Sequence, residues 1–434
     1  MDTHPAALLS DKERKYGRQL AYRSTWFACI SEVMYDHSAI IIIYLTLLGG
    51  SETLTMFTTS LVSLASMFFY MVFAALVDKI GLKKSAIIAC FLGCAGFSVI
   101  ALAPIAGKFS APYVVLVGAI AYAISRVFYG VTWYPLLDMF LLPKERAGFF
   151  GFMRSSYLIL STVLFFLIGL IMGKNPPQWL LQIVIAITGF LILGRAYNMA
   201  RFPGQVVQKK KVDFKKAFKI SITNGPLISY SIYICCVTAA YSSILPVSIM
   251  NMKNYFNLPA NTVQIVSSVY LIGSISGFAA FKQLIKFLGI RNLQIAIHLM
   301  FIFIPATLFF ITKDSSFLVA KMTILLFLCQ FCTSCYLCCF SLEMMSLAKP
   351  GNKTMATAVC STYNSIGGAV GRIVTSIALG CGAFAQVWTY KGIEYSRFST
   401  LYAIYAGVAA FFLILVVSIP SVVPKHHDYY NPGN

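Results

Sequence analysis

Charge is scarce in this chain. Asp, Glu, Lys and Arg make up 11% of its 434 residues, where a soluble domain carries roughly a quarter. Hydrophobic residues reach 59% and the mean hydropathy is +0.78. No water-soluble fold can bury that much apolar side chain. Apolar runs of about 20 residues recur from end to end, so lipid is the solvent. The polar interruptions are short, which excludes a soluble catalytic domain. There is no Gly-rich loop ending in Gly-Lys-Ser/Thr, so ATP hydrolysis is excluded as well. A Ser/His/Asp set, a metal-ligand cluster and a His-rich motif are all missing, which argues against a membrane enzyme. Only five His occur, three of them near the termini. Neither a metal nor a cofactor is expected, apart from a proton as coupling ion. No cleavable leader is expected either, because the opening residues are polar and the first apolar stretch is too long for an h-region.

What charge there is has one dominant sign and one dominant side. The net charge is +20. Twelve spans are expected, at 23–48, 53–77, 85–105, 111–136, 148–172, 178–200, 223–249, 259–281, 292–312, 316–342, 355–382 and 398–422. With Arg23 and Arg195, near the ends of spans one and six, counted to the side they adjoin, 24 of the 34 Lys and Arg fall in the N-terminus, the even-to-odd loops and the tail, six in the other loops and four inside spans. Basic residues collect on the cytoplasmic side of membrane proteins, so both termini are read as cytoplasmic and no nucleic-acid partner is needed. Lys209, Lys210, Lys211, Lys215, Lys216 and Lys219 form the densest group. They read as a linker at 201–222 between a bundle at 1–200 and a bundle at 223–434, with anionic headgroups as a possible contact. The run Cys329, Cys332, Cys335, Cys338 and Cys339 imitates an iron–sulfur spacing. It falls inside one helix, where a three-residue step drifts about 60° each time, so the thiols cannot converge.

The chain also repeats itself. Shifted by 206–208 residues, Cys29–Tyr35 falls on Cys235–Tyr241 and Thr58–Ser60 on Val266–Ser268. Leu76–Gly81 falls on Leu284–Gly289, Tyr129 on Tyr336, and Arg154–Tyr157 on Cys360–Tyr363. One match means little, but five in chain order do not arise by chance. A parallel repeat of six spans implies two similar bundles related by an axis along the membrane normal, with a central cavity.

The span two-to-three loop reads Ala75-Leu-Val-Asp78-Lys79-Ile-Gly81-Leu-Lys83-Lys84. Gly81 permits a tight turn, Asp78 can cap or pair, and Lys83 and Lys84 stay at the headgroups. This loop resembles the signature of the major facilitator superfamily. Lys286 replaces Asp78 in the second-half copy. Arg126 with Gly130 resembles the Arg-x-x-x-Gly core found in that family's proton-coupled antiporters. Asp138 with Arg146 resembles the acidic–Arg pair after span four, one residue wider than in the sugar porters. No full sugar-porter, drug-exporter or phosphate-antiporter signature is present. The resemblance implies an all-α membrane fold of two six-helix bundles.

Polar groups inside a bilayer are costly and mark function by default. Glu32 and Asp36 sit at i and i+4 on one face of span one. Two carboxylates so close in a low dielectric cannot both ionise cheaply, which suits a proton carrier. Their repeat mates are Thr238 and Ser242, polar but not titratable, which places the coupling in the first half. Arg126, near the middle of span four, is the expected counter-ion; the competing reading is a purely structural Glu32–Arg126 network. His37 faces elsewhere. Arg372 in span eleven is suited to an anionic solute, while Arg154 and Lys321 lie close enough to span ends to snorkel. In the family the spans bearing Tyr35, Tyr129, Trp133, Tyr157, Tyr241, Tyr336 and Tyr363 face the cavity, so these rings, with Asn364, are candidate solute contacts.

The resemblance implies a monomeric carrier in the cytoplasmic membrane working by alternating access. Proton coupling and a small organic anion or sugar-like solute are expected. A proton-coupled exporter of amphipathic compounds and a non-transporting sensor on the same fold are the alternatives.

Overall fold

The computed structural model describes residues 5–142, 145–204, 214–349 and 352–418. Lipid offers no hydrogen-bond partners, so a spanning segment must satisfy its backbone internally, and the apolar runs become helices. The chain divides into two compact units. One holds Met1–Lys210 with Pro259–Gln264, the other Lys211–Leu258 with Ile265–Asn434.

In the first unit, α1 (Asp11–Asp36) starts well before the apolar run, because Ser10 and Glu13 form a reciprocal capping box. It ends at His37, and α2 (Ile40–Leu47) continues after a 53° bend. Next come α3 (Glu52–Ile80) and α4 (Leu82–Leu102), joined only by Gly81 at φ 95°. That left-handed value is open to glycine without a Cβ penalty. The unit is completed by α5 (Ala111–Leu137), α6 (Arg146–Met172) and α7 (Gln178–Ala200). Helix α4 packs along α5 and α7, α3 lies on α5, and α1 lies on α7.

The second unit opens with α8 (Phe214–Ile222), a short helix within the stretch read as linker. Lys209, Lys210 and Lys211 lie outside the described residues. Helix α9 (Gly225–Tyr241) breaks at Ser242–Ser243 and continues as α10 (Ile244–Met250) and a π-helical turn, Asn251–Tyr255. There follow α11 (Ala260–Phe309), α12 (Leu318–Leu347), α13 (Lys353–Gly380) and α14 (Arg397–Ser418). Between the last two helices lies a hairpin absent from the sequence reading, β1 (Val387–Tyr390) with β2 (Ile393–Ser396). Its two-residue turn places Lys391 at φ 51° and Gly392 at φ 77°, the primed geometry that suits strand twist. Trp388 and Tyr395 face each other across the pair and stack at 4.8 Å.

Among the described residues nine helices are long and apolar enough to cross a bilayer, and the bent pair α1–α2 makes a tenth. Helix α11 counts once there, although Gly289 at φ 73° divides its 50 residues into two helices. Helix α13 spans 28 residues, about 42 Å at helical rise, and falls short only in hydropathy. With these two, twelve crossings are reached. The internal repeat is visible in the breaks as well. Gly81 and Gly289 both turn with positive φ, and the first span of each half breaks at equivalent positions, His37 and Ser243.

Close helix contact in the second unit depends on two Gly-x-x-x-Gly pairs. A Cβ on Gly367 or Gly371 of α13 would overlap the carbonyl oxygens of Cys235 and Ala239 on α9. Gly273 and Gly277 of α11 meet Phe327 and Phe331 of α12 in the same way. Small residues allow this approach where no hydrophobic effect pulls helices together. Gly371→Val should therefore destabilise the detergent-solubilised protein by about 1–3 kcal/mol, read as a lowered unfolding midpoint. Gly407→Ala, where a Cβ meets open space, should leave the midpoint unchanged or slightly raised.

Candidate functional site

The carboxylates of α1 meet two arginines from different helices. Arg126 of α5 reaches Glu32 at 3.5 Å and Asp36 at 3.4 Å through Nη2. Arg195 of α7 donates from Nη2 to Glu32 Oε1 at 2.8 Å. Its Nε points to the Ser24 carbonyl at 3.5 Å, and its guanidinium lies 4.0 Å over the Tyr129 ring, a cation–π contact. The Arg195 side chain is only 6% exposed, against 24% for Arg126, 26% for Glu32 and 22% for Asp36. Arg126 also donates to the Tyr122 hydroxyl at 3.3 Å, and Tyr122 donates to Ser31. Two cations and two anions thus form one electrically neutral cluster. A cavity of about 10 Å³ touches Ser31, Tyr122, Arg126 and Arg195, about the space one water needs.

Sequence reading had missed Arg195. It lies close to the end of the sixth span and counts with the basic residues of the cytoplasmic side. The α1·α7 packing turns it inward instead. A usable signal was present: Gly194 beside it leaves room for Phe27 of α1, marking the face of α7 on which α1 lies. Glu343, 1% exposed in α12, was also missed, because the tenth span was expected to end one residue earlier. It interacts electrostatically with Tyr230.

The remaining candidates separate into packed and accessible groups. Tyr35 is buried, donates to the Thr58 carbonyl at 2.5 Å and lies against Tyr122. Tyr129 and Trp133 are buried in a cluster with Phe128, Leu136 and Met153. Arg154 and Tyr157 of α6 are half-buried, and Tyr157 interacts electrostatically with Glu32, Arg154 and Arg126. In the second unit Tyr241 stacks on Phe301 at 4.7 Å and meets Tyr336 edge-on. Thr238, the repeat mate of Glu32, donates to Asn364 at 2.8 Å and lies 3.5 Å from the Tyr336 hydroxyl. Arg372 is half-buried and donates from Nε to the Ser242 carbonyl at 3.3 Å. Tyr363 is half-buried beside them. Where the first unit holds two carboxylates, the second holds hydroxyls, with an amide, aromatic rings and Arg372 around them. A separate cavity of about 800 Å³ lies at Phe256–Leu258, Lys313 and Phe317–Ala320 and contains none of the predicted residues.

At the ends of the helices, Arg146 bonds Asp138 at 2.7 Å. Lys83 donates to the Phe202 carbonyl at 2.7 Å and the Gly204 carbonyl at 3.4 Å, tying α4 to the residues after α7. Lys79 and Lys84 are exposed, and the side chain of Asp78 lies outside the described ones. A further pair, Arg18 with Glu145, closes at 2.5 Å. Burial pushes the Glu145 carboxyl up, but the Arg18 hydrogen bond, the Leu142 N–H and the Arg18 and Arg14 charges outweigh it and hold it below the ordinary 4.5.

Two repeated six-span sets with a neutral ion cluster inside one of them define a class: a polytopic membrane carrier. The Major Facilitator Superfamily model matches residues 24–372, and the chain belongs to that superfamily of secondary transporters, which carry small molecules rather than transform them. No curated protein matches the chain in sequence. Among solved structures, the nucleoside transporter NupG shares the fold at 14% identity and a TM-score of 0.66, over 93% of this chain and 98% of that one. The D-xylose–proton symporter does so at 13% identity and 0.64, over 92% and 95%. A bacterial homologue of the iron transporter ferroportin, inward-facing, does so at 13% and 0.63, over 92% and 98%.

The Glu145 pair yields a pH test. A carboxylate held low in the folded state stabilises it above the unfolded value, and that gain is lost as pH falls through the folded value. Glu145→Gln should lower stability at pH 7 by about 0.5–1 kcal/mol, typical of a partly exposed pair. Unfolding midpoints of the two proteins should converge below roughly pH 4.

Proposed function

We propose that this chain is a proton-coupled carrier of a small polar solute, an organic anion or a sugar-like molecule, working as a monomer by alternating access. The observation that carries this reading is the cluster of Glu32, Asp36 and Arg126. Its parts are ionisable, about a quarter exposed and set within spans, so a proton can reach them while desolvation keeps their coupling strong. Protonating one carboxylate breaks the neutrality of the cluster and loosens its hold on Arg126, which gives proton binding a structural consequence. The solute is assigned to the uncharged, aromatic groups of the second unit. Tyr241, Tyr336, Tyr363 and Asn364 offer ring faces and hydrogen bonds of the kind polar ligands use. Arg372, electrostatically coupled to Tyr241, favours an anionic solute. On the first unit, Arg154 and Tyr157 are the half-buried candidates, whereas Tyr35 and Trp133 are packed and Tyr129 holds Arg195 against its ring. The same fold serves a D-xylose–proton symporter and a nucleoside transporter, so polar cargo lies within its reach. The distribution of Lys and Arg places both termini on the cytoplasmic side of the plasma membrane.

Purified protein in liposomes, offered sugars, organic acids and cationic dyes with and without a pH gradient, tests this. Gradient-driven uptake of an acid or sugar is expected, with at least tenfold loss in Glu32→Gln and Asp36→Asn. Flux that ignores the gradient and both substitutions refutes the coupling, and movement of the dyes alone assigns the chain to export of amphipathic compounds. Arg372→Gln should raise the KM for a carboxylate solute about tenfold or more, as loss of a charged hydrogen bond does. An unchanged KM removes the anion assignment.

A further inference from the structure

Resting on the coupling reading above, the geometry divides labour between the two carboxylates: we propose that Asp36 carries the coupling proton, and that Arg195 is a positioning residue that keeps Glu32 charged. The two acids are unequally held. Each oxygen of Glu32 faces a guanidinium, Oε1 that of Arg195 and Oε2 that of Arg126. Asp36 forms one ion pair among the described residues, through Oδ2, with the arginine it shares. A carboxylate between two permanent cations holds its charge far better than one beside half of one.

Arg195 cannot relax to even out this difference. It is clamped by Glu32, the Ser24 carbonyl and the Tyr129 ring, and a buried guanidinium neither deprotonates nor leaves its partner cheaply. Arg126 is less enclosed and belongs to both acids, so it is the group free to respond when one is neutralised.

Helix geometry acts in the same direction. Asp36 is the last residue of the 26-residue α1, beside the break at His37. Carbonyls at a helix C-terminus carry partial negative charge, which disfavours a carboxylate there, and the effect fades within a turn. Glu32 sits one turn further in. Besides Arg126, Tyr122 on α5 interacts electrostatically with Asp36, while Cys29 on α1, Tyr129 on α5 and Tyr157 on α6 do so with Glu32, and His37 follows Asp36 in the chain. None gives Asp36 a second ion pair among the described residues.

The test needs no knowledge of the cargo. Full-length protein is reconstituted in phosphatidylethanolamine/phosphatidylglycerol vesicles, and the infrared C=O stretch of protonated carboxyls is followed against pH. Subtracting each variant from the wild type isolates single groups. One enclosed carboxyl of the cluster should titrate in the wild type, be lost in Asp36→Asn and persist in Glu32→Gln; the buried Glu343 of α12 is common to all these proteins and cancels in the differences. Arg195→Gln should add a second titrating carboxyl, and Arg195→Lys should restore the single one. A band that survives Asp36→Asn but vanishes in Glu32→Gln reverses the roles and overturns the proposal. An unaltered single band in Arg195→Gln overturns the positioning role. Should Arg195→Gln fail to fold, Arg195→Met takes its place with the same expected and overturning results, and the two carboxylate variants decide the division of roles. A wild-type spectrum from which neither Asp36→Asn nor Glu32→Gln removes a titrating carboxyl refutes proton coupling itself, a result distinct from a reversal of roles.

Discussion

The neutrality of one small cluster governs the first unit. Arg126 and Arg195 place two permanent positive charges within a membrane-embedded bundle, and neither can be discharged. Such charges persist only when compensated, and Glu32 and Asp36 supply that compensation from a single helix. The arrangement dictates much of its surroundings. Helix α1 must lie on α7 for Arg195 to reach Glu32, and on the side of α5 that carries Arg126. The break after Asp36 turns the chain away once both acids have been delivered. A change of charge at one of these four groups is therefore felt by α1, α5 and α7 together.

The second unit fills the places of Glu32 and Asp36 without a carboxylate, and its Arg372 bonds the Ser242 carbonyl instead. Thr238 takes the place of Glu32 and bonds Asn364; Tyr241, Phe301 and Tyr336 fill the space with rings. Hydroxyl and amide groups cost far less to bury than ions and can satisfy one another. Gly367 and Gly371 then let α9 and α13 approach until their backbones touch. Two copies of one ancestral unit have thus kept the same breaks, at His37 and Ser243, and the same glycine turns, at Gly81 and Gly289. What has diverged is the electrostatics.

Legibility in the sequence followed the range of the interactions. The spans, the repeat, the glycine turn at Gly81 and the face shared by Glu32 and Asp36 all depend on neighbours within a few residues, and were readable. Arg126 could be named because it stood alone in the middle of an apolar run. Arg195 could not, since five residues from the helix end at Ala200 is within snorkelling reach and only the approach of α1 decides against it. The hairpin at Val387–Ser396 was hidden among loop residues, its one local cue being Lys391-Gly392 between alternating aromatics. Nor does a ring's place on a helix reveal its neighbours: Tyr35 and Trp133 are buried in packing, while Tyr129 lies under Arg195.

By itself, then, the sequence determined the solvent, the number of crossings, the duplication and the family, because hydrophobic length and local turn chemistry are properties of contiguous residues. Only tertiary structure decided which ions pair, since that depends on how helices distant in sequence rotate against one another. It brought Arg195 to Glu32, left Asp36 sharing a single arginine, and so made two carboxylates that look equivalent along one helix face physically different.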